Sequence, residues 1–396
     1  MKKIKLLSLL LALALCLAAC APQATEPTTL GTVESTTATT TEATTVETTA
    51  AAKASKNIIL IIGDGMGLEH IKGGQLYDGK EYDFTKWQTV SINTASITYT
   101  GALNTDPTDS AASATAIATG NLTVNKYVGM LPDGTELETI LDIASDMGKA
   151  TGIVTTDSLL GATPSGFSAH TRSRSASKLL LESQINSGVN LLCGTRDSEC
   201  LKNAQQIQEK GYAYCESYAD LASTFASNMV YWQLPLAGVD SEVDLVDVSI
   251  DALNYLSQDE DGFVLMIEQA HVDKYSHNHE FSGAIQSVSN LNSTVEAVMN
   301  WLGDRTDTIV LVTADHETGG LLVSDKAEYP NAETFTVDGV TKTLYYDYTA
   351  PDHTSANVGL FIHGITADFT DSELYVEDVL KNTGIFYFMV DILNME

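Results

Sequence analysis

Acidic and histidine side chains stand directly after three apolar segments that have the composition of buried strands. Asp64 follows the first segment, which is rich in isoleucine, and Glu268 closes the second. Asp315 and His316 follow the third. Because open α/β sheets bind ligands beyond the carboxyl ends of their strands, we expect these side chains to meet at one edge of a sheet.

Further candidate ligands lie downstream of the second and third segments. Asp273 and His277 are separated by three residues, a spacing common for two ligands of one ion, and His353 is a third candidate. Buried strands rarely end in so many ionisable groups unless a metal compensates their charge. Histidine and aspartate suit zinc, whereas glutamate, aspartate and a threonine hydroxyl suit magnesium. The pattern therefore predicts divalent metal ions at this edge.

A serine stands at the predicted start of an alanine-rich helix. Residues 109–119 are helix-forming and Gly120 ends them, with Asp109 or Thr108 as the capping residue. The hydroxyl of Ser110 would then lie at the positive end of the helix dipole, where an alkoxide or a phosphate oxygen is stabilised. Taken alone, the same residues also describe a capping serine on a core helix.

Strands and helices alternate along the chain from residue 57 onward. Short apolar runs typical of buried strands separate helical segments, among them those at 174–185 and 284–302. Such alternation predicts an α/β fold with a large, mostly parallel central sheet and helices on both faces. Residues 57–396 are expected to form one catalytic domain, within which the segment 324–350 remains unassigned.

Residues 1–20 have the parts of an export signal: a lysine-rich start, a short apolar run and small residues before Cys20. This ending resembles the bacterial lipoprotein signal, in which Cys20 would be lipidated and become the mature N-terminus. An ordinary secretory signal or an uncleaved anchor helix would begin similarly. Residues 21–56 are rich in Thr and Ala and lack aromatic residues, which predicts a disordered linker. The domain is thus expected to be exported and lipid-anchored to the bacterial cell membrane, facing outward.

The formal net charge of −31 argues against nucleic-acid binding and against broad adhesion to anionic lipid. Part of the acid excess is expected to be metal ligand, since divalent ions reverse the local sign of the charge. In an exported chain, Cys193 and Cys200 flank a short polar loop and could form a disulfide. The alternative is three free thiols, which include Cys215.

Several of these residues belong to motifs that resemble those of the alkaline phosphatase family, in the family's order along the chain. The serine motif at 108–116 and the Thr-Ala-Asp-His-Glu motif at 313–317 are each specific, and their conjunction is very specific. The other matching positions are Gly63 to Gly67, Ala162-Thr163-Pro164, Ala169-His170 with Ser173-Arg174, Glu268 with Asp273 and His277, and His353-Thr354. The matches cover nearly all of residues 57–365, and the resemblance implies the family's fold and activity.

The resemblance assigns a role to each matching residue. Ser110 would be the nucleophile, and Ser110 and Arg174 would bind the phosphate of a small-molecule phosphate monoester. The implied ligands are Asp273, His277 and His353 for a first zinc, Asp64, Asp315 and His316 for a second zinc, and Asp64, Thr163 and Glu268 for one magnesium. The implied reaction is hydrolysis through a phosphoserine intermediate. Two ions about 4 Å apart suit it, since they can hold the attacking and the leaving oxygen.

The chain departs from the family's pattern at Gly161. The family often has aspartate or histidine there, two residues before Thr163, and Lys274 matches a lysine that faces this residue in bacterial members. Glycine supplies neither group, so the resemblance predicts a lysine without its counter-charge and loose magnesium binding. On this reasoning Gly161→Asp would tighten the site, unless another residue such as His271 already fills the role.

Two other functions remain open from the sequence. A member of the same metal-dependent superfamily could cleave phosphodiesters or transfer phosphate, usually with threonine as nucleophile and without the third metal. The chain could also be a non-catalytic surface lipoprotein that binds phosphate or a partner, which would require a broken site. Ser110, Thr163, Glu268 and Arg174 together favour monoester hydrolysis. The sequence does not decide whether the chain forms a homodimer or whether the linker is glycosylated.

Overall fold

The strands of the main sheet come from the apolar, β-branched segments of the sequence. A computed structural model describes residues 57–395 except 225, 237–242, 368, 370, 372–373 and 377–378. The predicted signal, with Cys20, and the predicted linker at 21–56 lie outside the described residues. Within the described part of the chain, no helix combines the length and the apolar character needed to cross a bilayer.

The strands are numbered in chain order. They are β1 (Asn57–Gly63), β2 (Gln88–Asn93), β3 (Ala150–Ser158), β4 (Leu191–Thr195), β5 (Ala213–Cys215), β6 (Val230–Leu234), β7 (Phe263–Gln269), β8 (Thr308–Thr313), β9 (Glu317–Thr318), β10 (Leu321–Ser324), β11 (Asn331–Val337), β12 (Val340–Tyr348), β13 (His353–Thr354), β14 (Val358–His363), β15 (Tyr375–Val376) and β16 (Val379–Lys381). Eleven of these described strands form one sheet in the order β15-β16-β2-β14-β8-β1-β7-β3-β4-β6-β5. The strands from β8 to β5 are parallel, and β14 joins them antiparallel to β8. The predicted large, mostly parallel sheet is therefore confirmed.

Strand β1 lies in the parallel part, between β7 and β8. Every residue of β1 is buried, as expected for a strand that is covered on both faces. The register pairs Ile62 of β1 with both Glu268 of β7 and Thr313 of β8. Asp64, Glu268 and Asp315 therefore stand at nearly the same level of the sheet edge.

The helices also follow chain order. They are α1 (Leu68–Asp78), α2 (Ser110–Thr119), α3 (Ile140–Asp146), α4 (Ala162–Gly166), α5 (Ser177–Gln184), α6 (Ser198–Lys202), α7 (Ala204–Glu209), α8 (Leu221–Thr224), α9 (Leu245–Leu256), α10 (His271–His277), α11 (Phe281–Leu302) and α12 (Thr383–Leu393), with short 3-10 turns at Asp83–Lys86 and Tyr218–Asp220. On one face of the sheet α1, α9 and α10 contact α11, and on the other α2 contacts α3, α4 and α12. Helices thus cover both faces, as predicted.

Most predicted elements are present, but some of their ends differ. The helix predicted at 174–185 spans only Ser177–Gln184, so Arg174 precedes it in a loop. The helix predicted at 284–302 begins earlier, at Phe281. The unassigned segment 324–350 supplies β11 and β12, which form a separate three-stranded sheet with β10.

The three cysteines of the described domain are unpaired. Cys193, Cys200 and Cys215 are all free and buried, so the suggested disulfide between Cys193 and Cys200 is wrong and the alternative of free thiols is correct. The Sγ atom of Cys200 instead lies 3.2 Å from the hydroxyl of Tyr231.

Candidate active site

Backbone hydrogen bonds tie the ligand-bearing segments together at the sheet edge. The N–H of Gly65 donates to a carboxylate oxygen of Asp315 at 3.0 Å, and that of Asp273 donates to the carbonyl of Asp64 at 2.8 Å. Gly65 has a φ of +75°, and a Cβ there would lie 2.7 Å from the Cα of Asp273. Glycine is therefore required for both conformational and steric reasons. The turn after β1 thus brings Asp64, Asp273 and Asp315 into one cluster.

Asp273, His277 and His353 form the first predicted group of ligands. The Oδ1 atom of Asp273 lies 3.3 Å from Nε2 of His277 and 3.4 Å from Nε2 of His353, and the two Nε2 atoms lie 3.1 Å apart. A tetrahedral zinc ion with bonds of about 2.0–2.1 Å requires ligand atoms roughly 3.3 Å apart. The three side chains therefore have the spacing of ligands for one tetrahedral ion. Behind it, Nδ1 of His353 lies 2.8 Å from the carbonyl of Thr108, which orients the ring.

Asp64, Asp315 and His316 form the second predicted group, and their ligand atoms lie within 4.8 Å of one another. The Nε2 atom of His316 lies 3.5 Å from Oδ1 of Asp64 and 3.3 Å from Oδ2 of Asp315. The Oγ atom of Ser110 lies 3.1 Å from the same Nε2 atom. All four side chains are buried. The predicted nucleophile therefore borders this group directly.

The predicted magnesium ligands Thr163 and Glu268 lie on two other elements, α4 and the end of β7. Thr163 is on α4, which packs so closely on α2 that a Cβ on Gly166 would lie 2.7 Å from the Cβ of Ala114. Glu268 accepts a hydrogen bond from Thr155 on the neighbouring strand β3. Of the three predicted groups, the structure shows closely spaced ligand atoms for the first two.

Burial dominates the electrostatics of the cluster. It raises the pKa of Asp64 well above its ordinary value, and neighbouring carboxylates raise it further. Burial also raises the pKa of Glu268 to about 8. Although burial acts to raise the pKa of Asp273 as well, hydrogen bonds from His277 and His353 hold it well below its ordinary value. Acidic groups in such surroundings require compensating positive charge.

Three atoms of the predicted ligands are buried without a hydrogen-bond partner in the described part of the chain. They are Oδ1 of Asp64, Oδ2 of Asp315 and Oγ1 of Thr163. Buried polar atoms are nearly always satisfied, so their concentration at this edge is unusual. Because carboxylate and hydroxyl oxygens are ligands for divalent cations, the residues present fit bound metal ions.

Arg174 is held beside the nucleophile by the residue that caps its helix. One carboxylate oxygen of Asp109 accepts from the N–H of Ala112 at 3.0 Å, which caps α2. The other oxygen accepts from Nη1 of Arg174 at 3.2 Å. The Arg174 side chain is 35% exposed, so the rest of its planar fork remains accessible to an anion.

The sequence model of the family described as "Alkaline phosphatase" matches residues 55–186 and 194–378. This chain belongs to the alkaline phosphatase family. Alkaline phosphatase 3 of Bacillus subtilis is 30% identical over 295 residues, which cover 69% of this chain and 63% of that protein. The chain thus spans slightly less than two thirds of the length of the two B. subtilis relatives that it matches. Escherichia coli alkaline phosphatase is 28% identical over an alignment that covers 87% of each chain.

Solved structures of alkaline phosphatases share the fold. The enzyme from the Antarctic bacterium TAB5 superposes with a TM-score of 0.73 at 22% identity, covering 87% of this chain and 100% of that chain. The cold-active enzyme of Shewanella sp. gives a TM-score of 0.73 at 24% identity, covering 85% and 99%. The alkaline-phosphatase-like fold expected from the resemblance is therefore confirmed.

This member of the alkaline phosphatase family supplies the counter-charge of Lys274 from an unexpected position. Asp157, near the end of β3, places Oδ1 2.5 Å from Nζ of Lys274. A Cβ on Gly161 would lie only 2.5 Å from the other carboxylate oxygen of Asp157. The expectation that Lys274 lacks a counter-charge is therefore wrong, because the Asp157 carboxylate fills the space of a side chain at position 161. His271 does not take this role, since its Nδ1 faces the hydroxyl of Thr156 at 3.1 Å.

Two threonines that the sequence analysis did not single out hold ligands in place. The hydroxyl of Thr318 donates to Asp273 at 2.5 Å and lies 3.2 Å from Nδ1 of His316, so it links the two ligand groups. Thr155 donates to Glu268. Both threonines lie in strands, where threonine is common, so their local sequence carries no distinguishing signal.

Proposed function

We propose that this chain hydrolyses small-molecule phosphate monoesters through a phosphoserine intermediate on Ser110, with two zinc ions and one magnesium ion as cofactors. The observation that carries the proposal is the place of Ser110. Its Oγ lies 3.1 Å from Nε2 of His316, at the N-terminus of α2 and beside the two groups of ligand atoms. Membership of the alkaline phosphatase family supports the same reaction.

The side chains divide into three sets of ligands. Asp273, His277 and His353 would hold one zinc ion, Asp64, Asp315 and His316 the other, and Asp64, Thr163 and Glu268 the magnesium ion. When bound, these ions supply positive charge that stabilises the attacking and leaving oxygens of an in-line displacement.

The protein's own residues carry the covalent step. Ser110 would attack phosphorus, forming an Oγ–P bond while the bond between phosphorus and the ester oxygen breaks. The N-terminus of α2 stabilises the ionised form of the serine. Arg174, oriented by its hydrogen bond to Asp109, would bind two phosphate oxygens through its planar fork. Water would then cleave the phosphoserine, which releases inorganic phosphate and restores the hydroxyl of Ser110.

Assays of the purified protein on a phosphate monoester and on a phosphodiester, together with metal analysis, test the proposal. We expect monoester hydrolysis to exceed diester hydrolysis by orders of magnitude in protein that carries zinc. Preferential cleavage of the diester would favour a sister activity of the superfamily. Phosphate binding without turnover in metal-loaded protein would favour a non-catalytic binding lipoprotein.

We also propose that the chain is exported and lipid-anchored to the bacterial cell membrane through Cys20, facing outward. The support comes from the sequence of residues 1–20, with its lysine-rich start, apolar run and Leu-Ala-Ala-Cys ending. The Thr- and Ala-rich segment at 21–56 would separate the catalytic domain from the bilayer.

A further inference from the structure

Lys126 has an unusual backbone conformation beside the nucleophile. Its φ is +77°, in the left-handed region that glycine favours. The N–H of Tyr127 donates to the carbonyl of Val124 at 3.0 Å, so Lys126 is the third residue of a tight turn. Where φ is positive at this position of a turn, glycine or asparagine is the usual residue. A lysine therefore occupies a position where glycine would be less strained.

The backbone of Lys126 is part of the framework that holds the site. Its N–H lies 3.0 Å from each carboxylate oxygen of Asp109, and its carbonyl accepts from the N–H of Arg174 at 2.9 Å. Asp109 precedes Ser110 and also binds the guanidinium of Arg174. Lys126 therefore lies next to both residues that are proposed to contact the phosphate.

The side chain of Lys126 is available to a ligand. Lys126 is exposed, whereas Ser110 is only 2% exposed. In the part of the chain that the structure describes, the Lys126 ammonium has no hydrogen-bond or ion-pair partner. A lysine carries its charge on a flexible four-carbon stem, and here the stem starts beside the Asp109 carboxylate that orients Arg174. From this backbone position, the stem can bring the charge toward the alcohol portion of a bound ester.

We propose that Lys126 is a specificity-determining residue that contacts the alcohol portion of the substrate. It would favour phosphate monoesters whose alcohol portion carries a negative charge, such as a carboxylate or a second phosphate. This inference rests on the proposed function of the site. A chain with a net charge of −31 repels such substrates, and a cation at the mouth of the site offsets that repulsion locally.

The test compares kcat/KM for phenyl phosphate with kcat/KM for 4-carboxyphenyl phosphate, which differ by one negative charge on the leaving group. In Lys126→Ala we expect the ratio of the charged to the neutral ester to fall by up to about fivefold, as for an exposed charge pair. Lys126→Arg should retain most of the parental ratio. Added salt should reduce the ratio in the parent. In Lys126→Ala it should leave the ratio unchanged or raise it, because only the repulsion by the acidic chain then remains to be screened.

Matched variants separate the charge from the backbone. Lys126→Gly relieves the strain of the positive φ and removes the cation. Its Tm should therefore not fall, whereas its ratio of kcat/KM for the charged ester to that for the neutral ester should fall. Asp338→Gly relieves a φ of +51° in the turn between β11 and β12 and should leave the ratio unchanged. Lys326→Ala, which removes an exposed lysine of the turn after β10, should also leave it unchanged.

Binding measurements distinguish failure of this inference from failure of the proposed function. Calorimetry with phenylphosphonate and 4-carboxyphenylphosphonate gives the same comparison without turnover. Absence of hydrolysis of both esters would refute the proposed function, and the phosphonates would still report on Lys126. Equal preference for the charged ligand in the parent and in well-folded Lys126→Ala and Lys126→Gly would overturn the assignment.

Discussion

Substituting Gly161 by aspartate should weaken the proposed magnesium site, because Asp157 already fills the space in front of Lys274. The Asp157 carboxylate binds Nζ of Lys274 at 2.5 Å. A Cβ at position 161 would lie 2.5 Å from Oδ2 of Asp157 and 2.9 Å from the backbone carbonyl of Ser158. Gly161 has a φ of −60°, so the obstacle to a side chain there is steric and electrostatic rather than conformational.

The size of the effect follows from those contacts. Overpacking of this kind costs about 1–3 kcal/mol, and each kcal/mol lowers Tm by about 1–2 °C in a domain of this size. The added carboxylate must also either displace Asp157 from Lys274 or stand beside it as a like charge. Changes in residues that orient metal ligands typically alter metal affinity by about 10–100-fold. We therefore expect Gly161→Asp to lower both Tm and magnesium affinity.

Magnesium titration by calorimetry and thermal unfolding of a small set of variants decide the matter. Gly161→Ala gives the steric part alone, and Asp157→Asn removes the counter-charge of Lys274 without adding atoms. In the double variant Asp157→Ala, Gly161→Asp, the carboxylate is moved from position 157 to position 161 rather than added. Its magnesium affinity should therefore exceed that of Gly161→Asp and that of Asp157→Asn. If Gly161→Asp instead binds magnesium tenfold more tightly at unchanged Tm, the Asp157 carboxylate does not occupy the role assigned to it.

Two further outcomes test the site and the anchor. Ser110→Ala should lower turnover by orders of magnitude while zinc content, measured by elemental analysis, stays intact, and near-normal monoester hydrolysis by this variant would exclude Ser110 as the nucleophile. Cys20→Ser should move the protein from the membrane fraction to the medium or leave an unprocessed precursor. Detergent partitioning like that of the parent, without a precursor on a gel, would place the anchor elsewhere.

The sequence predicts the centre of the sheet, and the meeting of acidic side chains at its edge, because both depend on local patterns. A continuous apolar run predicts a strand that is buried on both faces, and β1 has this character throughout. Once three such strands are parallel and in register, the acids that follow them must meet at one edge. The neighbours Asp64 and Asp315 therefore follow from chain order and sheet geometry, with no need for long-range information.

The partners that arise from loop paths could not be predicted in the same way. Asp157 contacts Lys274 across 117 positions of sequence. Although Asp157 stands shortly before Gly161, only the path of the loop shows that its carboxylate fills the space of a side chain at position 161. The segment 324–350 did carry a usable signal: Asp338-Gly339 is a typical two-residue hairpin turn, and it joins β11 to β12. The pairing of Asp157 with Lys274 depends on the fold, whereas the hairpin of β11 and β12 could have been predicted from its turn residues.

Metal removal should destabilise the fold as well as abolish activity, because the cluster is built from groups that are costly to bury alone. Burial raises the pKa of Asp64 and of Glu268, and atoms of Asp64, Asp315 and Thr163 have no hydrogen-bond partner among the described residues. An ion that binds only the folded chain stabilises it by about 2.7 kcal/mol when its concentration is 100 times its Kd.

Dialysis against a strong chelator should therefore lower Tm by several degrees, and zinc should restore both Tm and monoester hydrolysis. The same chelation of Asp273→Asn, which weakens one proposed zinc site, should produce a smaller fall in Tm. Full activity and an unchanged Tm in demonstrably metal-free protein would show that the buried acids are balanced by the protein alone.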